Sequence, residues 1–132
     1  MKQLNIQSQK RIEMIDITAD VKKAVKESNV LRGICLIFVP HTTAAVTINE
    51  NADPDVPRDI LDKLSRLVPA DENYRHVEGN SDAHIKSSFF GASETVIIEN
   101  STLVLGTWQS IFFCEFDGPR RRNAIVKIIS EK

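Results

Sequence analysis

Leu4 and Ile6 alternate with Gln3, Asn5 and Gln7, the period-two pattern of a strand with one buried face. The polar stretch Ser8 to Arg11 separates it from a second run holding Ile12, Met14 and Ile15. Thr18 reads as a helix N-cap. Beyond it Val21, Ala24 and Val25 share one helical face, with Ile17 just outside, while Lys22, Lys23, Lys26 and Glu27 face water. Asn29 and Gly33 suit the end of that helix. Gly33 to Val39 is a continuous apolar run, which predicts a central strand covered on both faces, and Pro40 closes it. Ala45 to Glu50 predicts a mixed strand, and Asn51-Ala52-Asp53-Pro54 carries helix-start signals. Val56, Ile60, Leu64, Leu67 and Val68 then recur at helical spacing until Pro69, with Pro54 and Pro57 tolerable only near the first turn.

The stretch Ala70 to Asp82 is long and polar, and a loop of that kind in a compact domain is usually functional or disordered. Ala83 to Phe90 is ambiguous between a short helix and a strand. Three β-branched or apolar runs follow: Thr95 to Ile98, Leu103 to Phe116 with Gly106 interrupting it, and Ala124 to Ile129. Two helices among about seven strands, clustered rather than strictly alternating, predict an α+β fold that is largely antiparallel.

Composition narrows the function classes. A chain of 132 residues, 42% apolar and 27% charged, is long enough for one core and reads as a single domain, 1–132. The formal net charge of -1 gives no basic excess for nucleic acid or an anionic membrane. No apolar run is long enough to span a bilayer, and the N-terminal stretch lacks the apolar centre of a secretory signal. Cytoplasmic residence is the resulting expectation. Cys35 and Cys114 lie inside apolar strand-like runs and read as core thiols.

Four polar clusters stand out. The three histidines, His41, His76 and His84, each have a hydroxyl, amide or carboxylate within a few positions, Asn80 and Asp82 among them. Neutral imidazoles with neighbouring carboxylates suit a divalent ion, but this spacing matches no local zinc motif, so the fold would have to gather them. Glu115 to Arg122 ends a strand in carboxylates, turns through Gly118-Pro119 and emerges with three arginines. A guanidinium beside such a turn can grip two oxygens of a phosphate; the alternative is a solvated hairpin paired with Asp117 and Glu115. Arg120, directly after the turn, is the expected phosphate ligand, and Arg122 the solvated one. Gly106-Thr107-Trp108-Gln109 interrupts an apolar run, with Trp108 either stacking on a ligand ring or filling the core. Asp53 is accounted for as a helix cap, whereas Glu50, after an apolar strand, is free to act as a ligand or general base.

Taken in order, the run His41 to Asp59 (HTTAAVTINENADPDVPRD), Pro69, the run His76 to Ser88 (HVEGNSDAHIKSS) with Gly91, and the run Leu103 to Arg120 (LVLGTWQSIFFCEFDGPR) resemble the YjbQ-like family of secondary thiamine-phosphate synthase enzymes. The resemblance covers Gly33 to Ile129; the opening strands and first helix match only in type. It implies a β-sandwich-like antiparallel body, a homotrimer, and a weak, secondary ability to join a pyrimidine pyrophosphate to a thiazole phosphate. Two positions depart from the family pattern, Glu99 for a common proline and Phe89-Phe90 for smaller aliphatics, and neither is a candidate ligand.

The resemblance gives the clusters roles. His41, His76 and His84 would hold a divalent metal ion, zinc or magnesium. Glu50, Asp82 and Glu115 would act in catalysis, while Asn80, Trp108, Gln109 and Arg120 would hold a phosphorylated small molecule. Expulsion of pyrophosphate needs charge neutralisation more than covalent help, which such a site would supply. The competing expectations are a non-catalytic trimeric binder of a phosphorylated metabolite, a metal-dependent hydrolase, and an assembly protein using the polar clusters as trimer contacts.

Overall fold

The computed structural model describes every residue from Met1 to Lys132. The chain runs through β1 (Lys2–Gln7), β2 (Glu13–Asp16), α1 (Thr18–Ser28), β3 (Gly33–Phe38), β4 (Ala44–Glu50) and α2 (Asp55–Leu67), then α3 (Ser81–Phe90), β5 (Ser93–Glu99), β6 (Thr102–Leu103), β7 (Gln109–Glu115) and β8 (Arg121–Ser130). Every pairing is antiparallel. One sheet has the order β1-β8-β3-β5-β6, the other β2-β7-β4. This is the expected α+β architecture, with one helix and one short strand more than the pattern predicted.

The main core lies between the two sheets. Ile6, Ile37, Val96 and Val126 meet Val46, Ile111 and Phe113 there, and Val21 and Val25 of α1 close one side. The other face of the smaller sheet carries Ala45, Phe112, Cys114 and Phe116, packed against Leu64 of α2 and Ala83 of α3. The strand covered on both faces is therefore β7, buried without a break from Ile111 to Glu115. The expectation of double coverage fails for β3: Cys35 and Ile37 point into the core, but Ile34 and Phe38 face outward and are exposed. Continuous hydrophobicity does not say what covers the second face.

Several local expectations change. Ala83 to Phe90 resolves as α3, whose polar residues Ser81, Asp82 and Lys86 are buried alongside Ala83. Helical spacing was hidden there because the buried face is charged. Thr18 is the first residue of α1 rather than its cap; its hydroxyl donates to Asp16 (2.6 Å) and accepts the Ile111 N–H (2.8 Å). Asn29 ends α1 in the left-handed conformation (φ 58), while Gly33 belongs to β3. Asp53 lies one residue before the α2 cap, which is Pro54, and its carboxylate accepts the Asp55 N–H at 2.9 Å. Cys35 and Cys114 are buried free thiols, and burial pushes the Cys35 thiol up to about 11.

A histidine and arginine cavity between the sheets

Three connections meet at one end of the sandwich: the β3–β4 link from Val39 to Thr43, the segment leading into α3, and the turn between β7 and β8. They enclose a cavity of about 680 Å³ whose wall includes His41, His76, His84, Asn80, Arg120 and Arg122. All three histidines and two of the predicted ligand residues are thus brought together, although they are far apart in sequence.

The floor is an ion pair. Glu115 is fully buried, and Arg122 nearly so. The Arg122 guanidinium donates to both carboxylate oxygens, Nε to Oε1 at 2.9 Å and Nη2 to Oε2 at 2.5 Å, and to the Thr43 hydroxyl at 2.8 Å. The Ser8 hydroxyl donates to Glu115 Oε1 at 2.7 Å and receives the Arg120 N–H at 2.9 Å. Burial alone would raise the Glu115 carboxyl, but the bonds from Arg122, Ser8 and the Asp117 N–H outweigh it and hold the group below its ordinary value. Glu115 is therefore a saturated, ionised acceptor with no lone pair free for proton transfer from a ligand. The expectation of a solvated Arg122 is overturned. Strand alternation contained the signal, since Arg122 shares its face of β8 with Ala124 and Val126, both buried.

Arg120 occupies the rim. Its Nε donates to the Asp117 carbonyl (2.9 Å) and its Nη2 to the Asp117 carboxylate (3.0 Å), so two of five guanidinium donors are engaged and three are free. Asp117 also receives the Asn80 amide at 2.9 Å, which ties the turn to the start of α3. Asp82 lies just beneath, fully buried, with Arg11 gripping both oxygens (3.0 and 3.1 Å) and Lys86 at 2.7 Å. Burial works to raise the Asp82 carboxyl; the bonds to Arg11 and Lys86 prevail and lower it. It does not line the cavity. Asp82 and Glu115 both read as frame residues rather than as the expected catalytic acids.

His41 Nε2 lies 3.1 Å from both the N–H and the carbonyl of Asn123, so β8 backbone occupies this nitrogen and only Nδ1 is left for a ligand. Burial, and then the Arg122 charge, lower its pKa and keep the ring neutral near pH 7. His76 and His84 stand edge to face with centroids 5.3 Å apart. No three histidine, cysteine, aspartate or glutamate side chains converge closely enough to enclose an ion. The donor set does not form the expected three-histidine centre; His76 and His84 are the one adjacent imidazole pair.

Glu50, Trp108 and Gln109 are elsewhere. Ala44 pairs with Glu115 at the cavity end of the smaller sheet, whereas Glu50 pairs with Gln109 at its opposite end. Six residues of strand separate the two ends by roughly 20 Å. Trp108 is 63% exposed, so it neither fills the core nor covers this cavity within one chain. Gln109 uses its Oε1 locally, accepting the Gly106 N–H at 2.7 Å.

Comparison with known proteins agrees with this fold. The UPF0047 YjbQ-like family matches residues 2–131. The chain belongs to that family. A UPF0047 protein of Methanocaldococcus jannaschii is 58% identical over 127 residues, covering 96% of this chain and 92% of the relative. YugU of Bacillus subtilis is 52% identical over 130 residues, 98% of each chain. A crystal structure of a YjbQ/UPF0047 protein from Clostridium acetobutylicum superimposes with a TM-score of 0.96 at 56% identity, over 98% of this chain and all (100%) of that one. That protein is described as an uncharacterized conserved protein, so membership fixes the fold and leaves the chemistry to the site.

Proposed function

We propose that the cavity binds a phosphorylated small molecule, with weak thiamine-phosphate-synthase-like transfer as its secondary reaction. The observation that carries this reading is the Arg120 guanidinium, which stands at the cavity rim with three free donors above a histidine-lined wall. A planar fork offering several N–H groups is suited to phosphate oxygens. In the transfer that the family resemblance implies, the thiazole nitrogen bonds to the pyrimidine methylene carbon as its C–O bond breaks. Pyrophosphate leaves with the bonding electrons, and Arg120 would take up that charge. No base is required at the reacting atoms, which accords with both buried carboxylates being saturated. A divalent ion, zinc or magnesium, would be held by the His76–His84 pair and would help neutralise the departing pyrophosphate, and no step depends on it.

Homotrimer formation is part of the same proposal. Ile97, Ile34 and Ile129 stand in register across β5, β3 and β8 on the outer sheet face and are 56%, 38% and 49% exposed. An aliphatic row at the centre of a sheet is unusual on a monomer surface.

Calorimetry with inorganic pyrophosphate, followed by assay of thiamine phosphate formation, tests the reading. Binding that Arg120→Ala weakens at least tenfold is expected. Binding without any turnover would favour the non-catalytic binder. No measurable pyrophosphate binding would overturn the reading.

A further inference from the structure

The segment Ala70 to Gly79 delivers His76 and Glu78 to the cavity wall, yet almost nothing holds it there. Its hydrogen bonds stay local: the Tyr74 N–H donates to the Glu72 carbonyl (3.0 Å), and the Tyr74 hydroxyl to the Pro69 carbonyl (2.6 Å). His76 faces Glu78 of the same segment at 3.7 Å. Its edge contact with the His84 ring is the tie across the cavity. Both flanks, by contrast, are fixed. Val68 is buried and donates to Leu64 at 2.9 Å, while Asn80 is bonded to Asp117. A backbone anchored at its ends and unbonded between them is the part of a structure that opens and closes at low cost.

Two residues give that freedom a direction. Gly79 sits at φ +81, and an added Cβ there would meet nothing within 4 Å, so the joint to α3 is conformationally and sterically free. Val77 is 94% exposed although it stands between two residues of the cavity wall. Across the cavity, Phe38 and Ala92 expose apolar surface to water, with the buried Val39 between them in the wall.

We propose that Ala70–Gly79 is a strap that closes over an anion held at Arg120, swivelling at Gly79 and burying Val77 against the Phe38 side of the cavity. This rests on the phosphorylated-ligand reading above. Closure would exclude water from the anion and bring His76 against its oxygens, which strengthens every polar contact inside. The energetic gain comes from burying Val77, and it offsets the cost of desolvating the Arg120 contacts.

Hydrogen exchange of the full-length protein, with and without saturating inorganic pyrophosphate, tests the strap. Amides 71–79 should slow at least tenfold on binding, with α1 unchanged as a control. Val77→Ser should leave the unfolding midpoint where it is, because the side chain is exposed at rest, and weaken pyrophosphate binding roughly tenfold. Binding seen by calorimetry with unchanged exchange at 71–79, or parental affinity in the Val77 variant, overturns the strap and leaves the anion site standing. No pyrophosphate binding at all overturns both.

Discussion

Arg120 and Arg122 are two residues apart and do opposite work. Arg122 lies in a buried pair, so Arg122→Ala strands the Glu115 carboxylate without its counter-charge. Breaking one side of a buried pair typically costs about 3–5 kcal/mol, and denaturant unfolding should read a loss of that order. Arg120 is half exposed and paired with Asp117. Arg120→Ala should therefore cost under about 1 kcal/mol of stability while abolishing most anion affinity. If the two substitutions destabilise equally, the division between frame and ligand residue is wrong. The histidines divide similarly. His41 has one nitrogen committed to β8, whereas His76 and His84 face each other. If the His76–His84 pair takes a zinc ion, titration with zinc should show weak binding that His76→Ala and His84→Ala reduce and His41→Ala leaves unchanged. Loss in the His41 variant alone would reverse the assignment.

At the level of elements, the site depends on how closely the β7–β8 turn approaches the β1–β2 loop. A Cβ on Gly118 would lie 2.3 Å from the Lys10 carbonyl oxygen and 2.7 Å from Ser8 Oγ. Gly118→Ala must push the turn away from Ser8, so it should destabilise by about 1–3 kcal/mol and also weaken pyrophosphate binding through Arg120. Loss of stability with unaltered affinity would show that Arg120 is not placed by this packing. The buried carboxylates of α3 and β7 set the acid limit. Folded Asp82 and Glu115 lie below the ordinary values of 3.8 and 4.5, which the unfolded chain regains. Between those values the unfolded chain binds more protons, so stability is present above about pH 4.5 and falls as acid drives the pH through the folded values. Thermal melts from pH 6 to pH 3 should show the midpoint dropping, with a shallower drop in Glu115→Gln. An identical slope in that variant would remove Glu115 from the account.

For the whole molecule, the aliphatic row on the outer sheet face is the feature a single chain leaves unexplained. If three copies cover it, Ile34→Glu places a charge in each interface and should yield monomers that retain the parental far-ultraviolet circular dichroism. Sedimentation of the parent at micromolar concentration should give the trimer mass. A parent that sediments as a monomer would end the trimer proposal, and Glu50, Trp108 and Gln109 would then be left with no cavity to serve.

Much of this protein was determined by local sequence. Period-two alternation set β1, helical spacing set α2 up to Pro69, and the apolar run ending at Phe116 set a strand, whereas which strand is covered on both faces did not follow from hydrophobicity. Those signals are local because backbone geometry repeats over a few residues. The histidine and arginine motifs, far apart in the chain, come together on one cavity wall. Tertiary structure decided the rest, because roles in a site depend on what arrives from elsewhere in the chain. Asp82 has the sequence context of a catalytic acid until Arg11, from the β1–β2 loop, and Lys86, one turn further along α3, close on it. Glu115 looked available until Ser8, 107 positions away, donated to one of its oxygens. Glu50 and Gln109 share motifs with cavity residues but pair at the far end of the sheet, since an extended strand carries its two ends apart. A sequence lists the groups that do the chemistry; only the packed fold settles which remain free to do it.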